Sequence, residues 1–481
     1  MIKFLRKYRD MPVTVKASLW FVVCGFLQKG ISLLTTPIFS RLLTTEEYGV
    51  VSIFLTWNNI IIIIATLNLA AGVYLRGLIK YSNDRDNFTA SLQSLFVVCT
   101  GIVFLIYIIF RNYLNVLFDL PTKYVCVMFA DILVCTAFQF WSARQRVEYQ
   151  YTKLVALTLA NALLKPTLGI LFILFFEDNV SARIYSMVLA DSITFGYLFA
   201  SIFAHKGGKF SVKYWKYALN YNIPLVPHYL SQIVLNQADR VMINSLCGSS
   251  DAGIYSLAYS AAAVMTIFNQ SILNSFNPWM YQSIKERKYK DIKTNSLYLL
   301  ILVAALNLLL IFFAPEAISI LAPKDYYQAI WVIPPVSMSV YFTFMYSLFA
   351  NFEFYYEKTK FMMIASVFGA VLNIILNYFF VSAFGFLAAG YTTLVCYLCY
   401  CIAHYIVMKR ILKSEENGIN VYNIKSMLLI STLFVAAGFG IMLLYNHSYV
   451  RYAIFGIMVI ILIAYRRKIW HLICTIREIK K

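Results

Sequence analysis

The sequence predicts an all-α polytopic membrane protein. Of its 481 residues, 61% are hydrophobic and 13% are charged, and the mean hydropathy is +0.70, whereas a typical soluble domain carries about 25% charged residues. The apolar runs extend over the whole chain, and the stretches between them stay below about 20 residues, which is too short for an independent core. The composition therefore predicts a multi-pass protein without a separate soluble domain.

Fourteen runs are long enough to cross a bilayer, since a membrane helix needs about 20 apolar residues. They cover residues 17–39, 49–75, 88–110, 122–143, 154–176, 183–204, 221–246, 252–277, 295–314, 329–352, 361–382, 385–408, 425–445 and 449–465. The first run follows a basic segment, but it is too long for the apolar part of a signal peptide and contains Lys29. We interpret it as the first membrane helix. Pro334-Pro335 is expected to break span ten locally.

The distribution of Lys and Arg predicts the side that each connection faces. With the N-terminus inside, the inside segments carry 32 Lys and Arg residues, the outside loops carry six, and three lie within spans. This asymmetry obeys the positive-inside rule and places both termini in the cytoplasm. It also accounts for the net charge of +19 without a nucleic-acid partner. We expect the basic loops 206–216 and 285–293 to contact anionic lipid headgroups.

One short pattern, acid-x-Gly-x-x-Ser, occurs at two equivalent places in the chain. Its copies, before spans two and eight, are Glu47-x-Gly49-x-x-Ser52 and Asp251-x-Gly253-x-x-Ser256. Six spans separate the copies, and an even number means that both halves insert in the same orientation. We therefore predict two six-helix bundles in a parallel repeat, residues 1–216 and 217–412. A C-terminal helix pair with a basic cytoplasmic tail, residues 413–481, completes the chain.

Three segments resemble a known family. PLVPHYLSQIVLNQADRVMINSLCGSSDAGIYSLAY is similar to the seventh-to-eighth helix region of Wzx-type polysaccharide and oligosaccharide-lipid flippases. These belong to the multidrug/oligosaccharidyl-lipid/polysaccharide (MOP) exporter superfamily. KGISLLTTPIFSRLLTTEEYGVVSIF resembles their first helix and loop, and NLAAGVYLRG resembles the end of their second helix.

The resemblance implies a function and a set of partners. The implied function is to flip an undecaprenyl-pyrophosphate-linked oligosaccharide (an O-antigen, capsule or exopolysaccharide repeat unit) across the bacterial cytoplasmic membrane by alternating access. The implied partners are that glycan lipid, membrane lipids, and a glycan polymerase with its chain-length machinery.

Ionisable side chains at membrane depth commonly mark functional positions. Such a flippase needs fixed cations for the phosphates, and the candidate ligands are Lys29, Arg76, Lys165 and Arg240. The candidate counter-ions or coupling acids are Asp131, Asp191 and Asp239. For the two lysines, a structural pair with Asp131 or Asp191 is the alternative to phosphate binding. Consecutive helix residues point about 100° apart, so we expect Arg240 to face a cavity and Asp239 to pack on a neighbouring helix.

No catalytic constellation, GxxxxGK[ST] loop or metal-ligand set occurs in the sequence, and the nine cysteines are interpreted as small core residues. We therefore expect no enzyme activity, no cofactor and no metal, with energy from an ion gradient, the membrane potential or product consumption. Two alternatives stay open. One is a cation-coupled exporter of small drugs from the same superfamily. The other is a membrane glycan polymerase or acyltransferase, which the short outside loops disfavour.

Overall fold

The computed structural model describes residues 11–204 and 211–464, and helices joined by short turns make up these ranges. The first nine helices are α1 Val13–Leu42, α2 Thr45–Thr66, α3 Gly72–Lys80, α4 Arg85–Ile109, α5 Arg111–Phe118, α6 Thr122–Val147, α7 Tyr151–Phe175, α8 Asn179–Ala204 and α9 Val212–Asn222. The others are α10 Val226–Cys247, α11 Ser249–Lys285, α12 Tyr289–Phe312, α13 Ala314–Leu321, α14 Ile333–Tyr355, α15 Thr359–Phe384, α16 Leu387–Glu415, α17 Ile424–Leu443 and α18 Ser448–Ala464. Two 3₁₀ helices, Ile223–Leu225 and Lys324–Trp331, precede α10 and α14.

Every predicted span overlaps at least one helix, and the prediction of an all-α polytopic fold is confirmed. Within the described ranges, twelve helices are long and apolar enough to cross a membrane. Two predicted spans fall outside this set. The first, α10, has 22 residues but a polar composition that includes Asp239 and Arg240. The second, α18, has 17 residues and ends where the described range ends.

The helices pack as two groups that meet along α2, α10 and α11. In the first group α8 packs on α6 and α7, α1 packs on α7, and α2 packs on α4. In the second group α14 and α15 both pack on α16, α10 packs on α15, and α12 packs on α14. The amphipathic helix α9 packs on α3 and α4, so the predicted boundary after residue 216 falls inside a helix of the first group.

The predicted second span is interrupted in the structure. Leu67 and Asn68 have φ angles of 51° and 49°, and this left-handed backbone conformation ends α2 at Thr66. The Leu67 carbonyl accepts a hydrogen bond from Asn222 Nδ2 at 2.6 Å. The backbone group released by the break is therefore satisfied by the segment that leads into the second group of helices.

Pro334-Pro335 begins α14 and does not break it, so that prediction is wrong. Proline in the first turn of a helix removes no intrahelical hydrogen bond, since the first N–H groups have no partner in any case. Pro224 and Pro227 likewise lie in the first turns of their helices. Pro37 and Pro166 lie inside α1 and α7, which continue through them.

The C-terminal helices are fixed to the second group by Arg451. This side chain of α18 is only 2% exposed; its Nη1 donates to the Phe312 carbonyl at 2.9 Å, and its Nη2 pairs with Glu316. α17 packs on α12 and α14. Residues 1–10 of the basic N-terminal segment, the two lysines Lys206 and Lys209, and the basic tail after residue 464 lie outside the described residues.

Candidate functional site

A cavity of about 370 Å³ lies between the two groups of helices, a size within the usual range of ligand sites. α1 and α2 form one wall, α10 and α11 form the other, and one residue comes from α8. Its polar lining consists of Lys29, Ser32, Thr35, Thr36, Tyr48, Ser52, Thr56, Asn59, Arg183, Gln237, Arg240, Ser256 and Ser260. The site predicted from charges in single spans is therefore built mainly by two helices from each half of the chain.

The cavity wall is cationic. Lys29, Arg183 and Arg240 line it, and no Asp or Glu does. Among the described residues, no carboxylate lies within ion-pair distance of these three side chains. Cations at membrane depth usually pair with acids or face a water-filled path. These three face the cavity, where an anion would neutralise them.

Arg183 lies in a gap between the Phe39 ring and Gly169 of α7. Its guanidinium carbon lies 3.6 Å from the centre of the Phe39 ring, and Nη1 donates to the Lys165 carbonyl at 3.3 Å. A Cβ on Gly169 would overlap both Nη1 and the Phe39 ring, so α7 accepts this arginine because residue 169 is glycine. Stacking on the ring orients the planar guanidinium beside the cavity.

Asp178 anchors the helix that carries Arg183. Its carboxylate accepts hydrogen bonds from the Ser181 N–H at 3.0 Å and from Lys123 Nζ at 3.1 Å, which caps the N-terminus of α8. Burial alone would raise the pKa of Asp178, but the hydrogen bonds from Ser181 and Lys123 lower it to about 2. The start of α8 is thus fixed by a carboxylate that stays ionised.

The adjacent residues Asp239 and Arg240 face different surroundings. Asp239 is 1% exposed and accepts hydrogen bonds of 2.6 Å each from Tyr255, Asn377 and Thr393. Arg240 lies on the cavity wall, with its guanidinium 4.5 Å from the centre of the Tyr259 ring and a hydrogen bond to Gln237. The buried carboxylate therefore links α10 to α11, α15 and α16, and the arginine lines the cavity.

The repeated glycines close one end of the cavity, which we call the gate end. A Cβ on Gly49 would overlap the carbonyl oxygen of Ser249, and a Cβ on Gly253 would overlap that of Thr45. Each glycine thus contacts the carbonyl four residues before the other glycine. Only glycine permits such an approach of two helix backbones. The loop-charge prediction assigns the gate end to the outside of the membrane.

Further hydrogen bonds join the two halves at the gate end. The Thr45 and Ser250 hydroxyls lie 2.7 Å apart, and Asn244 Nδ2 donates to Asp119 Oδ2 at 2.7 Å. The Tyr326 hydroxyl donates to the Thr44 carbonyl at 3.1 Å. The Thr44 side chain also caps α2 reciprocally with Glu47, the acid of the first repeat copy. The closed end is therefore made of short polar contacts that can be exchanged for water.

Lys165 belongs to a separate polar group inside the first half. Its Nζ lies 2.7 Å from Asp191 Oδ2, and Asp191 is 2% exposed. Asp131 accepts a 2.7 Å hydrogen bond from Asn58 Nδ2, and its carboxylate lies within 4.8 Å of Asp191 and Cys135 atoms. Such a cluster has the ligand types of a cation site, but Lys165 already supplies a positive charge. The structure thus separates the two predicted lysines, with Lys29 on the cavity wall and Lys165 in a buried pair.

We expect the Lys165→Met variant to lose stability because it leaves Asp191 buried without its counter-charge. Removing one partner of a buried pair costs about 3–5 kcal/mol, and the 35% exposure of Lys165 places this case at the low end. Adding Asp191→Asn should recover most of the loss. Thermal unfolding in detergent measures both effects, and a double variant no more stable than the single one would contradict the pairing.

Arg76, the fourth predicted cation, does not line the cavity. It lies exposed on α3, with its guanidinium 5.4 Å from the centre of the Tyr221 ring. Sequence reasoning missed Arg183, which starts the sixth predicted span and was counted with an outside loop. The adjacent Gly169 and Phe39 give no pattern that would have indicated it.

Solved structures and curated relatives are similar to this chain. The lipid II flippase MurJ in an inward closed conformation aligns with a TM-score of 0.69 at 15% identity, covering 94% of this chain and 100% of that chain. An inward-facing MATE family transporter of the MOP superfamily aligns with a TM-score of 0.66 at 14% identity, covering 81% and 96%. A protein of the Lsg locus of Haemophilus influenzae is 22% identical over 378 residues, 75% of this chain and 89% of the relative.

Two helical groups around a shared cavity, together with these structural relatives, define the fold as that of the MOP superfamily, as the resemblance implied. The family model described as "Polysaccharide biosynthesis protein" matches residues 14–284, and the MatE model matches residues 224–379. The chain belongs to the polysaccharide biosynthesis protein family. It is a multi-pass membrane protein whose fold is similar to that of transporters and flippases, and this similarity supports a non-enzymatic role.

Proposed function

We propose that the protein flips an undecaprenyl-pyrophosphate-linked oligosaccharide across the bacterial cytoplasmic membrane. The observation that carries this proposal is the cavity wall with Lys29, Arg183 and Arg240 and without a carboxylate. A pyrophosphate carries the opposite charge in a compact form, and guanidinium groups bind phosphate oxygens through two parallel hydrogen bonds. The hydroxyl and amide side chains between the cations provide hydrogen bonds for sugar hydroxyls.

The alternative of a cation-coupled drug exporter is less well supported by this cavity. Such an exporter is expected to have fewer cations in its cavity, whereas the lining contains Lys29, Arg183 and Arg240 and lacks Asp and Glu. The carboxylates Asp131, Asp191 and Asp239 are all buried away from the cavity wall. The similarity to a MATE transporter therefore supports the fold, and the charge of the cavity favours an anionic substrate.

The gate end supplies the conformational element that the proposed function needs. Alternating access requires two helical groups that separate at one end while they close at the other. Here the contact between Gly49 and Gly253 and the Thr45–Ser250 hydrogen bond seal one end. The cavity extends away from this seal along α1 as far as Lys29, 14 residues before Leu43 or about 21 Å of helix.

Flipping by purified protein in proteoliposomes tests the proposal. The substrate is a fluorescent polyprenyl-pyrophosphate-linked saccharide, and a membrane-impermeant reductant bleaches the label in the outer leaflet. We expect wild-type protein to accelerate the loss of protected label. Lys29→Gln should slow flipping about 10- to 100-fold, the value of one charge-assisted contact.

The matched control for Lys29→Gln is Lys290→Gln, because Lys290 is exposed at the start of α12 and does not line the cavity. This variant should flip at the wild-type rate. A wild-type protein that flips the uncharged polyprenol-linked saccharide as fast as the pyrophosphate form would argue against anion recognition. Equal flipping rates for Lys29→Gln and Lys290→Gln would also argue against anion recognition.

A further inference from the structure

A second ionisable site lies in the second half of the molecule, away from the cavity. His404 Nδ1 and Glu353 Oε1 are 2.6 Å apart, and the side chains are 1% and 0% exposed. Glu353 is on α14 and His404 is on α16. The sequence shows two residues 51 positions apart, and only the packing of α14 on α16 brings them together.

The outward atoms of this dyad have no partner within the described part of the chain. Glu353 Oε2 and His404 Nε2 are both buried and make no hydrogen bond. With one proton, shared between Nδ1 and Oε1, the dyad carries a buried negative charge. With a second proton, on Nε2 or Oε2, it is neutral overall. The geometry therefore leaves two buried atoms, either of which can take one additional proton.

The surroundings of the dyad are aromatic and uncharged. The Tyr346 ring of α14 stacks on the His404 ring with centroids 5.2 Å apart, and the Tyr400 ring of α16 meets it edge-on at 4.5 Å. The neighbouring α15 contributes Ser366, 2.7 Å from the Tyr400 hydroxyl, and α10 contributes the amide of Gln232. Neither of these groups titrates.

Two ion pairs lie near the ends of α14 and α16. Lys358 Nζ pairs with Glu415 at 3.2 Å, and Arg287 Nε lies 3.7 Å from Glu416. None of these four side chains forms an ion pair with Glu353 or His404 in the described ranges. A proton is therefore the ligand that the dyad can take without displacing a residue.

Two contacts connect the dyad with the cavity helix α10. Gln232 Nε2 donates to the Tyr400 hydroxyl at 3.3 Å, and the Tyr397 hydroxyl donates to Asn236 Oδ1 at 3.0 Å. Tyr397 in turn stacks on Tyr346 with centroids 6.4 Å apart. Asn236 lies one helical turn before Arg240, so packed side chains run from the dyad to the helix that presents a cavity cation.

We propose that Glu353 and His404 form a proton-binding site whose occupancy is coupled to the transport cycle. In each cycle one N–H or O–H bond forms from water on one side of the membrane and breaks to water on the other side. This inference rests on the proposed function, because the proton is coupled to movement of the lipid-linked substrate. It names an energy source for a chain whose sequence lacks a nucleotide-binding loop.

The leaflet distribution of the fluorescent substrate under an imposed pH gradient tests the proposal. Proteoliposomes are prepared with one pH unit across the membrane, with the membrane potential clamped by potassium and valinomycin. For one proton per substrate, the equilibrium ratio between leaflets should shift about tenfold per pH unit. Glu353→Gln, which retains a hydrogen bond to the imidazole, should equilibrate the substrate more slowly and without any response to the gradient.

A second variant and a control separate the outcomes. His404→Asn should also lose the response, whereas His447→Gln, at an exposed turn residue, should keep it. If wild-type protein flips the substrate but its leaflet ratio ignores the gradient, the proton site is wrong and the proposed function stands. The same conclusion follows if Glu353→Gln or His404→Asn keeps the tenfold shift. Wild-type protein that flips nothing at any gradient overturns the proposed function itself.

Discussion

Replacing Arg183 and Arg240 together by glutamine is expected to reduce flipping by about 10²- to 10⁴-fold. The two guanidinium groups face the cavity from opposite halves of the molecule, and the described carboxylates form no ion pair with either. A hydrogen bond to a charged group contributes about 1.5–3 kcal/mol, so the loss of both amounts to about 3–6 kcal/mol and gives this range. Glutamine keeps much of the side-chain length and a hydrogen-bond donor, but it removes the charge and the planar guanidinium fork together.

A variant with lysine at both arginine positions tests the shape of the side chain separately from its charge. Arg183→Lys with Arg240→Lys keeps both charges but loses the planar fork that stacks on Phe39 and Tyr259. We expect an intermediate loss of about 10-fold for these lysines. Arg111→Gln, an exposed position in α5, should flip normally. Thermal unfolding must show folded protein in all three cases, and flipping by the double glutamine variant within twofold of wild type would contradict the phosphate role.

The fold was predictable because membrane insertion imposes simple rules. A span needs about 20 apolar residues, and all fourteen predicted spans overlap helices. The errors occurred where local backbone geometry decides the outcome. The break after Thr66 depends on the left-handed backbone conformation of Leu67 and Asn68. Neither residue is a glycine or a proline, so the sequence gives no signal for the break. Pro334-Pro335 was expected to break span ten, but both prolines lie in the first turn of α14, where proline is tolerated.

The candidate site was predictable only in part, because the sequence does not show which residue a charged side chain contacts. Lys29 and Arg240 were identified as cavity ligands and do line the cavity, although their role in binding stays a prediction. Lys165 was given the same role, with a structural pair with Asp131 or Asp191 as the alternative, and the structure shows the pair with Asp191. Arg183 was missed because it starts a span, where basic residues usually meet water. Burial against Phe39 is a property of packing, which a single sequence does not display.

The repeated motif was recognised from the sequence, but the contact between its two copies was not predicted. Acid-x-Gly-x-x-Ser indicated two equivalent positions, and the structure brings its two glycines together across the pseudo-equivalent halves. Ser52 and Ser256, the last residues of the motif, both line the cavity on the inner side of this contact. One motif therefore contributes both the closure of the gate end and part of the cavity wall, which gives the repetition a physical reason.

Gly49→Ala and Gly253→Ala are expected to prevent closure of the gate end, alone and in combination. Each added Cβ overlaps a backbone carbonyl oxygen of the opposite half, and a backbone carbonyl cannot move aside as a flexible side chain can. Alanine is favoured over glycine inside a helix by about 1 kcal/mol. Loss of closure therefore cannot be attributed to damage of α2 or α11.

Cross-linking at the gate end measures this effect. Thr45→Cys and Ser250→Cys replace hydroxyls that lie 2.7 Å apart, a separation that a disulfide can bridge. Cys247 is replaced by serine, and mass spectrometry identifies the linked peptide. The pair should cross-link efficiently in the wild-type background, and each glycine variant should lower the yield about tenfold or more, equivalent to at least about 1.4 kcal/mol against the closed state.

Gly101→Ala is the matched control for these variants, because a Cβ at this glycine of α4 meets no atom within 4 Å. It should leave both the cross-link and flipping unchanged. The gate variants should also slow flipping, since a carrier that cannot close one end leaves its cavity open on that side and cannot complete alternating access. An unchanged cross-link yield in both Gly49→Ala and Gly253→Ala would show that the glycine contact is not the seal. The hydrogen bonds of Thr45, Asn244 and Tyr326 would then be the elements that hold the gate end shut.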